Sequence, residues 1–166
     1  VPELKPLHPD AVEAALERAH RYRLLNEPTE SESIARDILR VRPDDQPALV
    51  MLLLSLSDQL EDQLVSSFNA AKELLPRLDD EYERLYYHGL LCERRARAHW
   101  RQGGHGSGQI TYDWLRQAMD LYEQAERIRP PGNDDAILRW NACVRSMDRH
   151  REIRPVGEDT FLPLLE

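Results

Sequence analysis

The chain has 166 residues, of which 41% are hydrophobic and 31% charged, with a formal net charge of -8. That balance is too apolar for a disordered chain, and its mean hydropathy of -0.64 is far below that of a membrane protein. Two cysteines, Cys92 and Cys143, are too few for a disulfide framework and fit a reducing compartment. The opening residues lack the basic-then-apolar pattern of a signal peptide, so the expectation is a cytoplasmic protein that neither enters nor crosses a membrane.

In chain order, apolar residues recur with helical rather than strand period, and the fold class expected is all-α. After an N-terminal extension over residues 1–9, helices are expected at 10–25, 30–41, 46–57, 60–76, 80–102, 109–129 and 134–150. Asp10 with Glu13, and Thr29 with Glu32, have capping-box spacing. Prolines at 28, 43, 76 and 130–131 punctuate the helices, and the short connections imply antiparallel neighbours. Residues 151–166 form a C-terminal tail.

A repeat emerges when residues are counted back from three of these prolines, Pro43, Pro76 and Pro130. Ser31, Leu64 and Ala118 form one column; Ala35, Phe68 and Tyr122 the next; Ile38, Ala71 and Ala125 a third. Each column has the same spacing, 33 residues and then 54. Gly89, and Ala19 in the first unit, stand where a first helix must approach its partner closely. This small–aromatic–small–proline pattern resembles the second helix of the tetratricopeptide repeat family, over roughly residues 10–150. The first unit departs from it, with Ser31 and Ala35 in place of the small and aromatic residues. The resemblance implies a superhelical stack of about three helix pairs, closed by the last helix as a cap.

The third unit departs in length. Gly89 to Ala118 spans 29 residues where Ala19 to Ser31 spans 12, so both of its helices should be elongated by about two turns around the glycine cluster 103–108. Arg94, Arg95, Arg97, Trp100, Arg101, Ile110, Tyr112 and Trp114 lie on this hairpin. Trp100, Ile110 and Trp114 either staple its two arms together or, with the arginines, form a protruding tip for a partner. Charge is uneven: residues 1–83 carry -9, residues 84–154 carry +4 and the tail -3. Solvated helix faces account for such blocks, and the overall acidity argues against nucleic acid as a partner.

The glycine cluster has neither a preceding strand nor a following Lys-Ser/Thr, so it is not a phosphate loop. His88, Cys92 and His99 share a helical stripe but lack the tight four-ligand spacing of a zinc site. No nucleophile, base and orienting group can be assembled, so neither catalysis nor a cofactor is expected.

In stacks of this family the first helices line a concave surface that holds an extended peptide. Projection onto that face gives Leu16 and His20; Leu49, Val50 and Leu53, with a one-residue ambiguity because residues 47–56 are apolar all round; Tyr86, Tyr87 and Leu90; and Arg139 and Trp140. The Lys, Arg and Asn set with which chaperone-binding members grip a terminal carboxylate is absent. The expected function is therefore a non-catalytic scaffold that takes a protein or peptide in an apolar groove. The alternative is a regulatory subunit that takes a small ligand there. In the tail, Phe161, Leu162, Leu164 and Leu165 form an apolar cluster that could cover this stack, the last helix or a second molecule.

Overall fold

The computed structural model describes residues 1–155, and the tail cluster Phe161, Leu162, Leu164 and Leu165 lies outside the described residues. Seven α-helices run in order: α1 (Val12–Leu24), α2 (Pro28–Val41), α3 (Gln46–Asp58), α4 (Leu64–Leu74), α5 (Glu81–Gln102), α6 (Ser107–Arg127) and α7 (Asp135–Arg149). No strand occurs among the described residues, and none of their helices is long and apolar enough to cross a membrane.

Local sequence explains the helix starts. Asp45 caps α3 by accepting a hydrogen bond from the Ala48 amide at 3.0 Å, and Asp80 caps α5 by accepting one from Tyr82 at 2.9 Å. The two expected capping boxes do not form. Pro28 takes the first turn of α2, where its fixed φ suits a helix start, and so draws Thr29 inside the helix. At α1 a 3-10 turn over Pro9–Ala11 precedes the helix, and the His8 imidazole accepts from the Asp10 amide, leaving Ala11 at the cap. Between α5 and α6 the chain reverses through Gly103, Gly104 and Gly106 at φ of 67°, 96° and 80°, values that glycine alone adopts without strain. Turn geometry explains that cluster.

The helices stack as three antiparallel pairs and a seventh helix. Each helix packs on the next, and in addition α1 packs on α3, α3 on α5 and α5 on α7. The first helices α1, α3, α5 and α7 thus form one layer, and the second helices α2, α4 and α6 lie behind it. The third pair is elongated, at 22 and 21 residues against 11 to 14 in the other two.

The repeat columns are core positions. Ser31, Ala35, Ile38, Phe68, Ala71, Ala118, Tyr122 and Ala125 are buried, and Leu64 is half-buried. The polar member, Ser31, shares a 2.8 Å hydrogen bond with the buried Ser55 hydroxyl, which removes the penalty of an unpaired buried oxygen. Gly89 brings α5 against α6: a Cβ there would lie 2.7 Å from the Tyr122 ring. The chain does not leave the fold at residue 150. Ile153 is 4% exposed within the core cluster of α5, α6 and α7, so the packed unit extends past the expected boundary.

Candidate functional site

The layer of first helices carries the residues expected to bind, and the structure divides them. Leu49, Leu53 and Leu90 are buried and belong to the core, so they offer a ligand no surface. Helix α3 is apolar all round because α1, α2, α4 and α5 all pack on it, and period alone could not say which side stayed open. Leu16, Val50, Tyr86, Tyr87, Arg139 and Trp140 are half-buried, and His20 is exposed. Tyr86 stands at the centre of an aromatic group, with ring centroids 5.8 Å from Tyr82, 5.2 Å from Tyr87 and 5.9 Å from Tyr122. Burial pushes the Tyr87 phenol up to about 12, so it stays a neutral donor.

Sequence reasoning did not identify the residue at the centre of the third unit, Glu93. Its side chain is 5% exposed, and its carboxylate accepts four hydrogen bonds from three residues. Arg139 of α7 grips both carboxylate oxygens, through Nε to Oε2 at 2.9 Å and through Nη2 to Oε1. Arg97 Nη2 donates to Oε1 at 3.1 Å, and the Tyr122 hydroxyl donates to Oε2 at 2.8 Å. Burial, reinforced by the Glu93 charge, raises the Tyr122 pKa and keeps that hydroxyl protonated. Burial opposes the charge on Arg139, but the hydrogen bonds and charge of Glu93 outweigh it and hold the guanidinium protonated. One carboxylate thereby joins α5, α6 and α7.

A second polar junction ties α1, α3 and α5. Asp58 accepts from Arg23 Nε at 2.6 Å and from Arg94, which also donates to the Ser57 hydroxyl. Arg95 is held differently, its guanidinium 4.3 Å from the ring centroids of both Phe68 and Trp114.

These contacts settle the geometry of the elongated hairpin. Trp114 packs on Phe68 of α4, at 5.4 Å between centroids, and Trp100 packs on His150 beyond α7, at 5.0 Å. Arg101 pairs with Glu61 in the α3–α4 connection. The aromatics therefore fasten the hairpin to its neighbours, and its flanks are covered on both sides. Ile110 remains exposed, and Tyr112 is half-buried.

Between α5 and α7 the first-helix layer opens into a cleft of about 570 Å³. Arg97, Trp100 and Arg101 line it from α5, and Arg139, Arg145 and Arg149 from α7. Thr111, Leu115, Cys143 and Ile153 form buried parts of its lining. The cleft is thus strongly cationic, and of the residues expected to bind it contains only Arg139. The excess of arginine over residues 84–154 was the signal for it.

Among the described residues no three His, Cys, Asp or Glu side chains are placed to hold a metal. Burial pushes the thiols of Cys92 and Cys143 up to about 12, which removes the thiolate that a nucleophile or a metal ligand needs. Compared with protein-family models, with curated proteins and with solved structures, the chain has no match.

Proposed function

We propose that this chain is a non-catalytic interaction module of the tetratricopeptide kind, which takes a peptide or protein across its layer of first helices. The observation that carries the reading is the packing scheme: every helix meets the next, and every first helix meets the next first helix. Such a stack buries the repeat columns and leaves one continuous helical face for a partner. On that face Leu16, Val50, Tyr86, Tyr87 and Trp140 keep part of their apolar surface accessible, while His20 and Arg139 supply polar contacts. Half-exposed aromatics beside arginine are the side chains that dominate protein interfaces.

The test is a photo-crosslinking residue placed at His20, with Gln124 on the opposite layer as control, in extract of the source cells. A discrete adduct from His20 that Gln124 does not give, and that weakens with Tyr86→Ala and Tyr87→Ala, supports the module. Equal labelling from both positions ends the reading. A second reading, a subunit that binds a small ligand, is favoured by the walled cleft between α5 and α7, whose volume lies within the range of small-molecule sites.

A further inference from the structure

We infer that the α5–α7 cleft is a site for a small organic phosphate, held through its phosphate oxygens by arginines and through a flat organic part by the Trp100–His150 wall. This rests on the small-ligand reading and gives it a chemical class. Five arginines line the cleft against one carboxylate, Glu93. That carboxylate is already engaged at both oxygens. Arg101 is answered by Glu61. Arg145 and Arg149 have no hydrogen-bond or ion-pair partner among the described residues, and they stand one turn apart on α7, about 6 Å along its axis.

The engaged arginines also keep donors free. Arg139 spends Nε and Nη2 on Glu93, and Arg97 spends Nη2, so Nη1 of each has no partner among the described residues. Glu93 therefore fixes two guanidinium groups at the cleft with unused N–H groups, and α7 adds two more that no described residue pairs with. Such preorganisation lowers the entropy lost on binding.

The charge count selects the ligand. One carboxylate would answer a single guanidinium, whereas a phosphate monoester or polyphosphate brings two or more charges and oxygens suited to the arginine fork. The ring wall suits a planar group: Trp100 and His150 lie 5.0 Å apart at 44°. A long nucleic acid would meet a chain whose net charge is -8, which disfavours it.

The experiment is calorimetric titration of the full chain with pyrophosphate and with ATP at low salt, with amide shifts recorded in parallel. Expected are saturable binding of both probes, tighter for ATP, and shifts centred on residues 97–101 and 145–150. Arg145→Gln with Arg149→Gln should weaken both probes by at least about tenfold. Trp100→Leu should weaken ATP but not pyrophosphate. Arg36→Gln with Arg40→Gln, an equally spaced pair on α2, should change neither. No saturable binding of either probe overturns the proposal, as does equal loss in the α2 control pair. Binding of a phosphoserine peptide without either probe also overturns it, in favour of a macromolecular partner. Should the neutral dye Nile red shift the Trp100 signals while no phosphate binds, the small-ligand reading survives and this one does not.

Discussion

Gly89→Ala places one methyl group where α5 presses against Tyr122 of α6. The added carbon would sit 2.7 and 2.9 Å from two atoms of the Tyr122 ring, whereas carbon atoms in contact rest about 3.5–4.0 Å apart. The ring cannot retreat cheaply, because Tyr122 is fully buried and its hydroxyl is tethered to Glu93 at 2.8 Å. Overpacking of this kind costs about 1–3 kcal/mol. Alanine returns about 1 kcal/mol through its better helix propensity. The expected net effect is a loss of about 1 kcal/mol, or a fall in Tm of about 2–4 °C for a chain this long. Urea denaturation followed by far-ultraviolet circular dichroism measures it. In a Tyr122→Leu background the obstruction is gone, and Gly89→Ala should become neutral or stabilising, a coupling of about 1–3 kcal/mol. A single variant as stable as the parent, or more stable, would refute the account of how α5 meets α6.

Glu93→Gln leaves Arg139 without its counter-ion, and loss of about 2–4 kcal/mol is expected in the same denaturation assay, tempered because about a third of the Arg139 side chain keeps its water. Ala125→Glu puts an unpaired carboxylate into the α5–α6–α7 core and should unfold the third pair; unchanged melting would mean that the repeat columns have been misplaced. Cys92 and Cys143, both buried with thiols pushed up to about 12, should resist a thiol reagent at mild alkaline pH until the chain is denatured, and rapid labelling of the native protein would contradict their burial. Because burial raises both thiols above their ordinary pKa of 9.0, their contribution to stability is complete below that pH and should fade as the pH rises from there toward 12.

What the sequence made legible was what period and spacing encode. The columns ending at Pro43, Pro76 and Pro130 mark buried positions because each recurs at helical spacing on the side of its helix that packs on a neighbour. Gly89 could be read as a close approach for the same reason. Burial of the groove floor could not be read, since residues 47–56 are apolar on every side and only the packing of four other helices around α3 decides that Leu49 and Leu53 are core. The capping boxes failed where a stronger local rule prevailed, at Pro28 and at the 3-10 turn after His8. Glu93 was hidden because its decisive partner, Arg139, is 46 residues away and on another helix. In the run Glu93-Arg94-Arg95-Ala96-Arg97, a lone acid among arginines is the trace it leaves.

The extra length of the third unit explains why the cationic cleft lies where it does. A first helix as short as α1 or α3, at 13 residues, would end α5 at Glu93. Arg97, Trp100 and Arg101 would then have no helix to stand on, and Arg145 and Arg149 would face open water, where high dielectric makes neighbouring like charges cheap. The added turns of α5 give the arginines of α7 an opposing wall. That wall is braced on one side by the contact of Arg101 with Glu61. On the other it is braced by the chain after α7, whose His150 packs on Trp100 and whose Glu152 carbonyl leaves no room for a Cβ on Gly108 of α6. With Ile153 buried at the same end, the turn after α7 closes the cleft there. The extra length of the third pair therefore sets two exposed cations of α7 opposite Arg97 and Arg101 of α5 along one cleft, and that concentration of positive charge is what favours an anion there.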